Sequence, residues 1–256
     1  MSRPRNATLV VENLQRSFGG VKAVRGVSFA LAAGEVLALI GPNGAGKSTC
    51  FNLLNGQLRP DAGTVRLDGV DLVGLPPRRI WRLGVGRTFQ ITATFASMTV
   101  AENLQMVFLS RARRLLGLWS PAAAAFRGEA LALLDRVGMA GQADRPCGVL
   151  AYGDLKRVEL AMALAGDPKV LLMDEPTAGM APAERQELMA LTSSLVRERG
   201  LAVLFTEHDM DVVFGHATRI LVLDRGQLIA EGPPNAVRAD PRVQAVYLGN
   251  GLGSET

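Results

Sequence analysis

Residues 41–49 read Gly41-Pro42-Asn43-Gly44-Ala45-Gly46-Lys47-Ser48-Thr49, which has the form G-x-x-x-x-G-K-[ST]. An apolar run at 36–40 precedes them and predicts a buried parallel strand, and the residues after them predict a helix. In this strand–loop–helix setting, backbone N–H groups and the positive end of the helix would surround a phosphate. Lys47 would reach the β- and γ-phosphates, and the Ser48 hydroxyl would bind Mg²⁺. The alternative is a plain glycine turn with an exposed lysine, but the setting favours a nucleoside triphosphate site.

The composition is that of a packed globular protein of 256 residues, 48% of them hydrophobic. A net charge of +4 from 28 basic and 24 acidic residues permits contact with anionic lipid or nucleic acid but argues for neither. The two cysteines, Cys50 and Cys147, suit a reducing compartment. No signal peptide is visible, and the most apolar candidate for a membrane span, 115–126, is too short and is broken by Pro121. We therefore expect a cytoplasmic protein that is soluble by itself.

Hydrophobic periodicity predicts an α/β fold. Segments 8–14 and 27–31 alternate like antiparallel strands, and 63–69 and 85–89 also predict strands. We expect a P-loop NTPase core, with a mixed or parallel sheet flanked by helices, and a separate antiparallel β subdomain.

A helical subdomain is predicted at about 100–165, inserted into the core. Its helical spacing includes one apolar stripe, formed by Ala130, Leu131, Leu133, Leu134 and Val137. A basic cluster within it, Arg111, Arg113 and Arg114, is most simply a solvated helix face, and it lacks the interleaved aromatic residues of single-strand nucleic-acid platforms. We expect one domain at 8–248, no nucleic-acid partner, and a flexible tail at 249–256.

An acidic pair follows the apolar run 170–173. Asp174 could hold Mg²⁺ beside a phosphate loop, and Glu175 could orient and deprotonate an attacking water. The alternative is the ordinary preference for acidic residues at a helix N-terminus. The upstream phosphate loop favours the catalytic interpretation.

Three further residues are candidates for the site. His208 follows the apolar run 201–205, at a strand end where ligands of open α/β sheets collect, and could donate a hydrogen bond to the γ-phosphate. A structural histidine is the alternative, and it is the interpretation we give to His216. Gln90 stands at the end of the predicted strand 85–89. Phe18, in the turn after the first strand, could equally be a core residue.

The order of these motifs resembles the ATP-binding-cassette (ABC) ATPases over about residues 8–248. Gln90 stands in the place of the family's Q-loop glutamine, and 151–155, here named the signature stretch, stands in the place of its signature sequence. The resemblance implies a pair of cassettes, with each ATP between the phosphate loop of one subunit and the signature stretch of the other. It also implies that Phe18 stacks on adenine and that Gln90 takes part in catalysis and in Mg²⁺ binding. The ATP-binding residues are then Phe18, Gly41, Pro42, Asn43, Gly44, Ala45, Gly46, Lys47, Ser48, Thr49, Ala151, Tyr152, Gly153 and Asp154.

A finer resemblance is to the cassettes of bacterial branched-chain and hydrophobic amino acid importers. It is carried by Gly86–Gln90, Leu150–Asp154, Thr206–Met210, Ala230–Pro234 and the ending at 240–249. It implies a second ABC ATPase subunit, identical or different, two membrane permease subunits and, indirectly, a periplasmic solute-binding protein. The chain would then lie on the cytoplasmic face of the inner membrane.

Two other functions stay open at this point. The cassette of a lipid or lipopolysaccharide exporter has a similar sequence. A soluble ABC ATPase that acts on ribosomes or DNA usually carries two cassettes or a long coiled coil, and 256 residues hold neither.

Two departures from the family pattern stand out. Ala151 replaces the usual serine and has no hydroxyl for the partner's γ-phosphate, and Ala181 stands where Asp or Asn is usual after the acidic pair. These changes predict that the dimer is asymmetric.

Phe95 and Met98 would face a permease, or Phe95 would pack in the core of the helical subdomain.

Overall fold

The computed structural model describes residues 7–88, 94–112 and 126–248, and within these ranges the chain forms two β-sheets and the helices around them. The strands are β1 (Ala7–Phe18), β2 (Val21–Ala32), β3 (Val36–Ile40), β4 (Ala62–Leu67), β5 (Val70–Asp71), β6 (Val85–Thr88), β7 (Val170–Asp174), β8 (Ala202–Thr206), β9 (Arg219–Asp224) and β10 (Gln227–Gly232). The helices are α1 (Lys47–Leu54), α2 (Pro77–Leu83), α3 (Val100–Arg111), α4 (Arg127–Arg136), α5 (Tyr152–Ala165), α6 (Pro182–Arg199), α7 (Met210–His216), α8 (Pro234–Ala239) and α9 (Pro241–Leu248).

The larger sheet has the strand order β10-β9-β3-β8-β7-β6. Its strands pair in parallel except for β10, which is antiparallel to β9. Strands β3, β7 and β8 are buried along their whole length, as their continuous apolar sequences predict. Because β3, β7 and β8 are parallel, their carboxyl ends, and the loops that follow them, meet at one edge of the sheet.

The smaller sheet is antiparallel, with the order β2-β1-β4-β5. One apolar core lies between it and the larger sheet, and α1 contributes Cys50, Phe51 and Leu54 to this core. The helix that follows the phosphate loop is therefore fixed by packing, and the loop is fixed with it.

A second core lies on the other face of the larger sheet, where α3, α4 and α5 contact one another. The predicted apolar stripe is confirmed there: Ala130, Leu133, Leu134 and Val137 are buried and Leu131 is partly buried.

At the start of α3, Thr99 and Glu102 form reciprocal side chain to backbone hydrogen bonds. The hydrogen bond from the Thr99 backbone N–H is the main reason why the pKa of Glu102 is lowered.

The predicted fold class is confirmed, with longer first strands than the sequence indicates, since β1 continues to Phe18 and β2 begins at Val21. Several predictions fall outside the described residues, namely those on Phe89, Gln90, Arg113, Arg114 and the tail 249–256. Of the helices in the described ranges, none has the length and apolar character needed to cross a membrane.

Candidate functional site

The loop between β3 and α1 requires glycine at two positions. Gly41 and Gly46 have φ values of +154° and +106°. A Cβ atom at Gly41 would lie 2.1 Å from the Leu223 carbonyl oxygen, and one at Gly46 would lie 2.3 Å from that of Ala23. Both contacts are with backbone, which cannot move aside as a side chain can. The loop thus lies close against β9 on one side and β2 on the other.

Lys47 points back into this loop. Its Nζ donates to the carbonyl oxygens of Gly41, at 2.6 Å, and Pro42, at 3.2 Å, and the residue is only 8% exposed. Burial lowers the pKa of Lys47, and the nearby carboxylates of Glu175 and Asp174 partly oppose that shift. A buried ammonium group is costly without compensating negative charge, so an anion in the loop would stabilise it.

The predicted acidic pair lies at the carboxyl end of β7, beside β8. The Thr206 hydroxyl donates to Asp174 Oδ1 at 2.8 Å, and it accepts a hydrogen bond from the Glu175 backbone N–H at 3.1 Å. Arg87 Nη2 lies 3.0 Å from Asp174 Oδ2. Glu175 has a φ of +49°, an uncommon conformation for a residue other than glycine. Such strain is often found at functional sites.

His208 contacts Glu175 directly. Its Nε2 lies 3.0 Å from Glu175 Oε1, and its side chain is half exposed. The neighbouring residue Glu207 is buried, and its two carboxylate oxygens accept hydrogen bonds from residues in two different loops. Its Oε1 accepts from the backbone N–H and the hydroxyl of Thr177, and its Oε2 accepts from the His208 N–H. The loop after β7 and the loop after β8 are therefore tied together.

The signature stretch lies beside the loop 177–181 of its own chain. The Tyr152 hydroxyl donates to the Ala178 carbonyl oxygen at 3.1 Å. A Cβ atom at Gly153 would lie 2.9 Å from Glu184 Oε1, so that glycine allows a close approach to α6. Ala151 precedes α5 and is exposed, and Asp154 lies in the first turn of α5. The side chains of Ala151 and Tyr152 face outward, where a second molecule could reach them.

Ala181 immediately precedes α6 and is exposed, and its backbone N–H donates to Glu184 Oε2 at 3.1 Å. Arg185 also stabilises the loop before Ala181, because its guanidinium donates to the Met180 carbonyl oxygen and to Asp209 Oδ2.

Two aromatic residues left open by the sequence are exposed. Phe18 is 42% exposed at the end of β1, with the Arg16 guanidinium 4.9 Å from its ring centre, so it is not a core residue. Phe95 is 54% exposed, while its backbone is held by hydrogen bonds with the buried Asn103.

The structure thus brings Lys47, Asp174, Glu175 and His208 together, and it leaves Ala151 and Tyr152 of the signature stretch exposed. Sequence reasoning missed Arg87, Thr206 and Glu207. Thr206 and Glu207 stand at the end of a predicted strand, which was a weak signal, whereas Arg87 lies inside the predicted strand 85–89 and had no such signal.

The donor set beside the loop suits Mg²⁺. Among the described residues there is no group of three or more His, Cys, Asp or Glu side chains that could hold a metal by themselves. Mg²⁺ is commonly bound through one or two protein oxygens together with phosphates and water. The exposed Ser48 in the first turn of α1 and the carboxylate of Asp174 meet that requirement.

A cavity of about 370 Å³ lies between α2 and the helices α3 and α5. Its lining is mainly apolar and includes Trp81, Val107 and Met162. Three charged side chains also reach it, Arg78, Arg87 and Glu159, and Glu159 is 7% exposed with its Oε2 bound to Lys156.

Two family models match the chain. Residues 24–178 match the model for ABC transporter, and residues 227–252 match the model for branched-chain amino acid ATP-binding cassette transporter. The chain is 41% identical over 258 residues to the high-affinity branched-chain amino acid transport ATP-binding protein LivG of Salmonella typhimurium, with 97% of this chain and 99% of LivG covered.

Solved structures are similar over nearly the whole chain. The ADP conformation of an ATP-binding cassette of an ABC transporter superposes with a TM-score of 0.85 at 34% identity, covering 95% of this chain and 99% of the other. A dimeric post-hydrolysis state of another cassette, bound to ADP and phosphate, gives a TM-score of 0.74 at 26% identity, covering 88% of this chain and 98% of the other.

Proposed function

The chain belongs to the ABC transporter family of ATP-binding cassettes, and from this we propose that it is the ATP-hydrolysing subunit of an importer for branched-chain or other hydrophobic amino acids. The observation that carries the choice of solute is the match of residues 227–252, which include α8 and α9, to the branched-chain model. The name of LivG agrees with it. We also propose that residues 8–248 form one cassette domain, with the helical subdomain at about 100–165.

The residues around the phosphate loop divide the chemistry between them. On ATP binding, Lys47 exchanges its two carbonyl contacts for phosphate oxygens, and the backbone N–H groups of the loop hold the same phosphates. Glu175 orients the attacking water and accepts its proton, and His208, now bonded to Glu175, donates to the γ-phosphate. Ser48, Asp174 and Gln90 would hold Mg²⁺, which would supply positive charge to the phosphates when bound.

The second half of each ATP site comes from another cassette. The exposed positions of Ala151 and Tyr152 support a role of the signature stretch across a dimer interface. Phe18, exposed beside Arg16, is available to stack on adenine. Because Ala151 and Ala181 lack polar side chains, we propose that the partner is a second, different cassette that supplies what this one lacks.

The membrane partner is a pair of permease subunits, docked peripherally on the helical side of the cassette. Two features support this surface, the exposed Phe95 and the apolar cavity that includes Trp81 and Met162. An apolar helix from a permease would fill the cavity and bury its lining. A solute-binding protein would contact the permeases and not this chain.

Uptake by a reconstituted transporter tests the proposal. The chain would be co-purified with the permeases, second cassette and solute-binding protein encoded beside it, and placed in proteoliposomes that contain ATP. Uptake of radiolabelled leucine, isoleucine and valine is expected, and Glu175→Gln should abolish it. An ATPase activity that responds to lipid substrates and to no amino acid would instead indicate an exporter.

A further inference from the structure

Arg87 connects three elements through one guanidinium group. It lies on β6, and its Nη1 donates to Asn52 Oδ1 at 2.7 Å and to Gln57 Oε1 at 3.0 Å, in and just after α1. Its Nη2 donates to Asp174 Oδ2 at 3.0 Å. The Arg87 side chain is only 12% exposed, and its contacts with Asn52 and Asp174 are partly buried, whereas Gln57 is exposed.

The contact with Asp174 holds the carboxylate that we propose as a metal ligand. The Asp174 side chain is 8% exposed, and a carboxylate at that depth requires a compensating partner. Its Oδ1 accepts from the Thr206 hydroxyl and its Oδ2 accepts from Arg87. Each oxygen of Asp174 therefore has a hydrogen-bond donor within the protein, and one of those donors is a cation.

The same arginine lines the cavity between α2 and the helical subdomain, together with Gln57 and Glu159. Its Nε atom is buried and makes no hydrogen bond in the described part of the chain. If the guanidinium turned toward the cavity, a carbonyl or carboxylate oxygen on an occupant would become the partner of this Nε–H. Arg87 thus faces the proposed permease site on one side and Asp174 on the other.

We propose that Arg87 competes with Mg²⁺ for Asp174 in the free cassette and releases this carboxylate when a permease helix fills the cavity. An acceptor oxygen on that helix bonds Nε and draws the guanidinium away from Oδ2. The competition between Arg87 and Mg²⁺ can be measured on the isolated chain. The release of Asp174 rests on the proposed docking of permeases. Arg87 is a positioning residue, since it acts on the site through Asp174.

The first experiment uses the isolated chain and measures binding of a fluorescent ATP analogue, mant-ATP, as Mg²⁺ is titrated from an EDTA-treated start. Arg87→Met removes the cation and keeps the side chain's bulk, so the half-saturating Mg²⁺ concentration should fall at least threefold. Arg219→Met is the matched control, because Arg219 forms a largely buried ion pair with Glu35 and lies on β9, which three strands separate from β6. It should leave the Mg²⁺ dependence unchanged.

Arg87→Lys covers the case in which Arg87→Met does not fold, as circular dichroism would show. A lysine keeps the charge but cannot bond Asp174, Asn52 and Gln57 together, so it should compete less well and give an intermediate half-saturating concentration. An unchanged or raised Mg²⁺ requirement in the folded variants would overturn the competition.

The second experiment repeats the titration with co-purified permeases. Wild-type cassette should require at least threefold less Mg²⁺ in the complex than alone, and Arg87→Met should show no such difference. If the permeases bind but do not shift the wild-type titration, the proposed release is wrong. If no permease binds, the proposed function fails, while the result on the isolated chain still decides whether Arg87 competes for Asp174.

Discussion

Nε2 of His208 lies 3.0 Å from Oε1 of Glu175, which joins the ends of two neighbouring strands, β8 and β7. Glu175 is also held through its backbone N–H by the Thr206 carbonyl and hydroxyl oxygens. His208 is half exposed, so its imidazole can move while the buried strand ends remain in place. The proposed base is thus positioned by rigid elements and contacted by one movable side chain.

Glu175→Gln should retain ATP binding and lose hydrolysis by roughly 10²-fold or more, because a general base contributes about that much to the rate. With the second cassette present, the uncleaved nucleotide should also hold the two cassettes together, so an ATP-bound dimer should accumulate. Phosphate release and size-exclusion chromatography measure the two effects. Glu198→Gln, which changes an exposed carboxylate paired with Arg136, is the control. Hydrolysis at the wild-type rate would mean that Glu175 is not the base.

Lys47→Ala and His208→Ala should separate binding from turnover. Loss of Lys47 removes the cation that faces the phosphates, so the dissociation constant for ATP should rise markedly. Loss of His208 should leave that constant nearly unchanged and lower kcat. Equilibrium binding of mant-ATP and steady-state kinetics on the same preparations decide the matter, and equal losses of affinity would contradict this division of roles.

Thr206→Val should destabilise the protein by about 1–3 kcal/mol, because the valine leaves Asp174 Oδ1 and the Glu175 N–H each with one hydrogen-bond partner fewer at a buried position. Urea unfolding measures the change. Thr192→Val is the matched control, since Thr192 is equally buried but bonds only to the Leu188 carbonyl of its own helix. A smaller loss for Thr206→Val than for Thr192→Val would show that the Thr206 hydroxyl does not support the acidic pair.

Phe95→Asp should abolish pull-down with the permease subunits and leave the ATPase activity of the free cassette largely unchanged. The exposed position of Phe95 predicts that the variant folds. Val21→Asp places the same charge at an exposed site in the smaller sheet and should not affect the pull-down. Retained permease binding by a folded Phe95→Asp would place the docking surface elsewhere.

The sequence predicted the elements whose signals are local. Helix α6 is an example, because Pro182 opens it and Gly200 follows it with a φ of +65°. The phosphate loop at 41–49 and the acidic pair at 174–175 were equally predictable from the sequence, since each follows a wholly apolar run. Arg87 and Thr206 could not be assigned in this way, because their roles arise only when β6 and β8 lie on either side of β7. The exposure of Phe18 and Phe95 depends likewise on tertiary packing that no local pattern contains.

The position of β3 in the larger sheet also constrains how the protein is made. β3 lies between β8 and β9, and the backbone N–H of Val36 bonds to Thr218 Oγ1, 182 residues later. At a synthesis rate of about 5–20 residues per second, the ribosome releases the phosphate loop roughly 10 to 35 seconds before the strands that flank it. During that interval an apolar strand has no partner and is open to aggregation or to chaperones. A nascent chain therefore cannot complete its ATP site until residues 219–224, which form β9, have been synthesised.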